Sequence, residues 1–292
     1  MLRLPSRGID LELTLKPSFI LALFEKEEGS YKKIAGRSLG CRIWQKRGEI
    51  FSTCPAEEVE YYTGLWFLEV KAAESPHRRF SQLVDNLIEV YAGLSLAVDI
   101  YDPLYIFIAV FLSQNTSYRT NVLRWTRELW RTARDPATAA EAAPGVGGSF
   151  QLKRLPEVFR CVAGEWPRDP YQLRRFLVSC KYVGPKTADA TLLFARAESS
   201  AAPVDRHFLN MVSRLSLFPG AGPPVPAYCK RFPCFDCPKR GSCIRWLASK
   251  YFGRLAGWVQ TAFYIHDAEM CSRSMCRECA LKDFCEVGKP GE

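Results

Sequence analysis

Between Cys180 and His207 the chain reads C-K-Y-V-G-P-K-T-A-D, an apolar run, and then P-V-D-R-H, and these stretches constrain the fold more than any other feature. Gly184-Pro185 marks a tight turn. Pro185 stands where the first turn of a helix would begin, a place where its missing N–H costs nothing. Ala188, Thr191, Leu192 and Ala195 then recur at helical spacing. Asp205 precedes Phe208, Met211, Val212 and Leu215, which repeat that period, so Asp205 is predicted to be the N-cap of a second helix. The order is hairpin, helix, loop, helix, and the helix starts at Lys186 and Asp205 can share one end of the pair. Backbone N–H groups around Gly184 can face an anion such as a phosphate. Arg174, Arg175 and Lys181 add positive charge beside the turn, where a phosphate backbone can run.

V-G-P-K-T-A-D followed at this separation by P-V-D-R-H resembles the helix-hairpin-helix DNA glycosylase superfamily. The resemblance implies that Lys186 is the nucleophile and Asp205 the essential carboxylate. The chain departs from the family pattern at Tyr182, where Gly is usual. A lysine near a helix start is usually solvated, and an Asp at an N-cap is usually only a cap. The two motifs together, at the family's spacing, point to chemistry.

At 292 residues, nearly half of them apolar, the chain can build a sizeable core and is not expected to be disordered. The net charge of +9 and a pI near 9.0 favour an anionic partner, nucleic acid being the commonest. The longest apolar run, Leu104 to Leu112, is too short to span a membrane and reads as a buried helix. The first ten residues lack the apolar core of a signal peptide, so an intracellular protein is expected, and a monomer by default. In a reducing compartment its cysteines are expected to be metal ligands rather than disulfides.

Along the chain, Ile9, Leu11, Leu13 and Leu15 alternate with polar residues, as a half-buried strand would. Leu39, Cys41 and Ile43 alternate likewise, and a Lys46-Arg47-Gly48 turn followed by Glu49 to Thr53 completes a hairpin. Residues 1–75 are therefore expected to form an N-terminal antiparallel β domain with a few short helices, resembling that of the 8-oxoguanine and 3-methyladenine glycosylase branch. Cys41 and Cys54 read as core or strand residues, and the isolated Cys161 and Cys180 as structural.

Phe80, Leu83, Val84, Leu87, Ile88 and Tyr91 follow helical spacing, and from there the signals are nearly all helical. Asp102-Pro103 opens a buried helix that ends in the polar burst Ser113 to Ser117. In the family, the loop after this helix carries an amide into the duplex to fill the gap left by the extruded nucleotide. The resemblance gives that role to Asn115, with Gln114 beside it and Arg119 in reach of the orphaned base or a phosphate. Residues 133–149, rich in Ala, Pro and Gly, read as a flexible connector. The fold class is α+β: a β domain, then a helical glycosylase core over 76–228 and 244–270.

Eight of the twelve cysteines fall in two frames of C-x4-C-x2-C-x5-C. One, Cys229, Cys234, Cys237 and Cys243, occupies an inserted loop at 229–243; the other, Cys271, Cys276, Cys279 and Cys285, closes the chain at 271–292. Four closely spaced thiolates bind metal. The second frame resembles the C-terminal [4Fe-4S] loop of endonuclease III relatives. The first has no counterpart in that pattern; its identical spacing predicts a second [4Fe-4S] cluster, with zinc as the alternative. Lys230, Arg231, Lys239, Arg240 and Arg245 around the first frame, and Arg273, Arg277 and Lys282 around the second, can contact phosphates.

The resemblance implies a base-excision enzyme acting on damaged double-stranded DNA, with glycosylase and abasic-site lyase activity through a Lys186 Schiff base. Relatives without the lysine use water and do not cut. The lesion stays open between an oxidised purine or pyrimidine and, alternatively, uracil or another deaminated or alkylated base. Lys16-Pro17-Ser18-Phe19 and Ala190 depart from the 8-oxoguanine pattern. Two other classes compete: an inactive iron–sulfur DNA-binding protein and a ferredoxin-like electron carrier. The second leaves the hairpin, the charge and the N-terminal sheet unexplained. His77, His207 and His266 are read as structural or surface residues.

Overall fold

Two tight turns organise the N-terminal sheet of the computed structural model, which describes residues 1–286. Residues 287–292, the end of the expected C-terminal cysteine loop, lie outside the described residues. Strands β1 (Leu2–Pro5), β2 (Phe24–Glu27), β3 (Ser30–Lys33), β4 (Arg42–Lys46) and β5 (Glu49–Ser52) form one antiparallel sheet in the order β1-β5-β4-β3-β2. The Arg47-Gly48 turn pairs Lys46 with Glu49; both turn residues have positive φ, 53° and 76°, as a two-residue hairpin of this hand requires. Glu28 and Gly29 make the equivalent turn between β2 and β3.

Two sequence expectations fail here. The stretch Ile9 to Leu15 is not a strand: Leu11–Leu15 is a short helix, α1. Asp10 caps it by accepting from Leu13 N at 2.9 Å, and Leu11, Thr14 and Leu15 are buried, an i, i+3, i+4 set that the alternation concealed. Cys41 and Cys54 form a disulfide across the β4–β5 hairpin, with Cα atoms 4.9 Å apart, and Cys161 and Cys180 form another, 5.9 Å apart. Single cysteines on elements joined only by folding leave no local spacing signal.

Helices α2 (Ala56–Thr63), α3 (Phe67–Ala73) and α4 (Ser81–Val90) lead to α5 (Pro103–Leu112), whose residues from Ile106 to Leu112 are buried on every side. A π-helical turn, Tyr118–Val122, runs into α6 (Leu123–Thr132). The expected connector is largely a helix, α7 (Pro136–Val146). Asp135 caps it through Ala137 N and Thr138 N, and Ala139, Ala140 and Ala143 bury a smooth face. Its alanines outweigh the glycines and prolines that suggested a loop. Then come α8 (Phe150–Val162), α9 (Pro170–Ser179), α10 (Pro185–Arg196), α11 (Arg206–Arg214), α12 (Pro226–Arg231), α13 (Ile244–Phe252) and α14 (Ala256–Glu269). No helix among the described residues is long and apolar enough to cross a membrane.

The sheet joins the helices through a buried ionic knot. Lys33, fully buried, donates to Asp99 at 3.0 Å, to Asp102 at 2.6 Å and to the Tyr62 hydroxyl. Asp102 also accepts from Arg37 N, and it precedes Pro103 at the start of α5. The knot fixes β3 against the helix that leads to the site.

Candidate active site and cysteine loops

The hairpin between α9 and α10 forms because its ends are capped. Val183 N donates to Cys180 O at 3.2 Å, Gly184 is the N-cap of α10, and Ala188 N donates to Gly184 O. Tyr182 takes a φ of +67°, the left-handed conformation a glycine would adopt without steric cost. It is held there by an edge-on contact with Phe150, ring centroids 5.4 Å apart, and by Arg154 and Lys181 over its ring. Gly184 has open space where a Cβ would stand, leaving its backbone approachable from outside.

Lys186, at the second position of α10, is partly buried and donates from Nζ to Ser113 Oγ at 2.9 Å, at the end of α5. The Phe19 ring lies 5.6 Å from Nζ. Burial pushes the Lys186 amine below the usual lysine range, against the opposing charge of Asp205. Asp205 caps α11, accepting from Phe208 N at 2.8 Å, and its second oxygen accepts from Gln260 Nε2 on α14 at 3.3 Å. Burial raises the Asp205 carboxyl, opposed by the Phe208 N–H and by Lys186. Tyr264, one turn beyond Gln260, packs edge-on against His207 at 4.8 Å, and burial and the Asp205 charge raise its phenol. His207 Nδ1 in turn meets Asp267 at 2.7 Å.

Lys186 and Asp205 lie within electrostatic reach of each other; Ser113 and Phe19 stand at the lysine, and Gln260 and Tyr264 at the carboxylate. Sequence reasoning missed those four. Gln260 and Tyr264 stand one turn apart on the last long helix, but nothing in that helix's own pattern points them at Asp205.

Among the expected DNA-contacting residues, Asn115 is exposed, with φ +49°, just past the end of α5. Gln114 is not free: its amide donates to Tyr182 O at 3.4 Å, and its backbone oxygen accepts from Gln151, tying the polar burst to the hairpin. Arg119 is exposed, 3.8 Å from Glu269, and Lys181 is exposed and paired with Glu157 at 3.0 Å. Arg174 and Arg245 are not surface cations; they are 2% and 3% exposed and both bind the buried Asp189. An acidic partner on α10, invisible to local pattern, takes them out of reach of phosphate.

The cysteine frames fold alike. Cys234 and Cys276 each open a 3-10 turn, and Cys237 N and Cys279 N donate back to Cys234 O and Cys276 O. Arg240 N and Lys282 N donate to Cys237 O and Cys279 O, and Cys243 N and Cys285 N close the second turn of each. None of the eight forms a disulfide among the described residues. In the first loop, Cys229, Cys237 and Cys243 border a cavity of about 350 Å³, and Cys234 lies within electrostatic reach of Cys229 and Cys243. In the second, Cys279 and Cys285 act on Cys271, whose thiol burial pushes up to about 11. His266 Nε2 meets Cys279 Sγ at 3.2 Å, and its other nitrogen meets the Tyr91 hydroxyl at 3.0 Å.

Among the described residues no three His, Cys, Asp or Glu side chains close around a point as a single ion demands. An all-thiol donor set on paired turns, with a cavity at the first loop, suits a thiolate-held metal centre, iron–sulfur or zinc.

No family model matches the chain, and no curated protein matches it. Solved structures do. The 8-oxoguanine glycosylase/lyase of Clostridium acetobutylicum, in complex with double-stranded DNA containing cytosine opposite 8-oxoguanine, superposes with a TM-score of 0.68 at 18% identity, over 90% of this chain and 93% of that one. The chain shares that fold. The 3-methyladenine DNA glycosylase of Archaeoglobus fulgidus matches with a TM-score of 0.60 at 14% identity, over 92% of this chain and 99% of that one. An endonuclease III in a non-covalent DNA complex matches with a TM-score of 0.53 at 18% identity, over 72% of this chain and 95% of that one.

Proposed function

We propose that the chain is a base-excision DNA glycosylase with abasic-site lyase activity, acting on duplex DNA that carries a damaged base. The observation that carries this reading is the meeting of a partly buried lysine of lowered pKa with a partly buried carboxylate at two adjoining helix starts. The neighbours' fold supports it: each is a DNA glycosylase or endonuclease, and two are complexes with DNA.

The chemistry needs the nucleotide out of the stack, since its sugar carbon is shielded within a duplex. Asn115 would occupy the gap, while the Gly184 backbone and nearby basic side chains hold phosphates. Neutral Lys186 attacks the anomeric carbon and the base departs with the bonding pair. Asp205 stabilises the cationic sugar and takes up a proton released by the lysine. Ring opening gives an iminium, loss of a C2′ proton expels the 3′ phosphate, and water then releases the lysine. Ser113 orients Lys186, and Gln260 orients Asp205. Phe19 and Tyr264 offer aromatic faces beside the reacting atoms.

The eight frame cysteines would hold two [4Fe-4S] clusters that keep the basic loops rigid. The first lesion to test is 8-oxoguanine, the base named for the Clostridium neighbour; oxidised pyrimidines and uracil follow. Base release and strand nicking should appear together on one lesion duplex. Lys186→Gln should abolish nicking, and Asp205→Asn should slow base release roughly 100- to 10,000-fold. Full nicking by Lys186→Gln would refute the assignment.

A further inference from the structure

Asp189, one turn after Lys186 on α10, is fully buried and receives two arginines. Arg174 of α9 donates to it through Nε at 2.7 Å and Nη2 at 2.9 Å, and Arg245 of α13 through Nε at 3.2 Å. Two guanidinium groups around one carboxylate leave a positive charge in excess in the interior. Buried charge without a counter-charge is costly. Moreover, Arg245 Nη1 is buried and has no hydrogen-bond partner among the described residues. The knot therefore lacks an anion. The chemistry able to supply one lies in the first cysteine loop: Cys229 and Cys234 are within electrostatic reach of Arg174, and Cys234 is within reach of Arg245. Arg245 itself lies two residues beyond Cys243. The loop is seated on the same elements, with Phe235 edge-on to Tyr171 of α9 at 5.1 Å and a bridge between Gly222 and Cys243.

We propose that the loop of Cys229, Cys234, Cys237 and Cys243 holds a thiolate-bound metal centre of net charge −2 that is the missing counter-ion of the Arg174–Asp189–Arg245 knot, and so fixes the helix bearing Lys186. A [4Fe-4S]²⁺ core and a zinc ion, each with four thiolates, carry that same charge. The Cys271–Cys285 loop contacts instead His266, Met211 and the end of α14, so it has no such hold on α10. The inference rests on reading the first frame as a metal loop, not on the lesion or on the chemistry of Lys186.

The test uses the full chain without DNA. Iron, sulfide and zinc are counted per chain, and amide hydrogen exchange is followed peptide by peptide in wild type and Cys237→Ser. The account expects two centres in wild type and one in the variant, with exchange over residues 174–196 at least tenfold faster and that of α14 unchanged. Iron with sulfide, or zinc alone, identifies the centre. A first loop without metal in the wild type overturns the proposal, as does metal loss that leaves exchange over 174–196 unchanged. Should Cys237→Ser fail to fold, Arg245→Met, which keeps the Arg174–Asp189 pair, decides: the first centre should be lost to a chelator at least tenfold faster and the second at its former rate. Equal retention at the first loop overturns the proposal. Base excision is measured separately, so failure here leaves the glycosylase reading standing.

Discussion

Lys186 is partly buried and tethered in the structure without DNA. Its tether to Ser113 sets its direction, and burial lowers its pKa while Asp205 pulls the other way. In the proposed reaction the neutral amine is the nucleophile, so the single-turnover rate should rise with pH and level off below the ordinary lysine value of about 10.4. Asp205 contributes in its ionised form, and its raised pKa means that form is lost at a higher pH than for an ordinary carboxylate as acid is added. Both limbs have the same sign. A rate–pH profile still climbing steeply above about pH 10 would contradict the buried, lowered lysine. The helix starts that carry Lys186 and Asp205 were legible in sequence because they are written locally, by Pro185 and by the Asp205 cap. Gln260 and Tyr264 were not, because nothing local says which face of a helix looks onto a distant lysine.

At the scale of elements, the same contrast holds. Helices with a proline or acidic cap at the start, such as α5, α10 and α11, could be read from the chain. Helix α1 could not, since five residues fit either period and only the Asp10 cap decides. Helix α7 was hidden by its glycine and proline content. The Lys33–Asp99–Asp102 knot was also hidden, because its members are 66 and 69 residues apart. Desolvation raises the Asp99 carboxyl to about 6 against the pull of Lys33. Removing the cation leaves two buried carboxylates without it. Lys33→Met should therefore cost about 3–5 kcal/mol in chemical denaturation. A loss within about 1 kcal/mol, the range of an exposed pair, would show that the knot does not join sheet and helices as described.

For the whole molecule, the net charge of +9 and the exposed cations beside the hairpin fit a polyanionic partner. Affinity for an undamaged duplex should fall by roughly a thousandfold between 50 and 200 mM salt if about six phosphates are contacted. Arg175→Ala, an exposed cation on α9, should reduce the salt slope by about one. An affinity independent of salt would exclude a phosphate-led interface.

The central claim is that Lys186 forms a covalent link to the sugar of a damaged nucleotide. Borohydride trapping on an 8-oxoguanine duplex, with oxidised-pyrimidine, uracil and abasic-site duplexes alongside, tests it directly. The account predicts an adduct on one base lesion and on the abasic site, mapped by mass spectrometry to Lys186 and absent from Lys186→Gln. Tight binding with no adduct on any duplex, or an adduct mapped to another lysine, would contradict it.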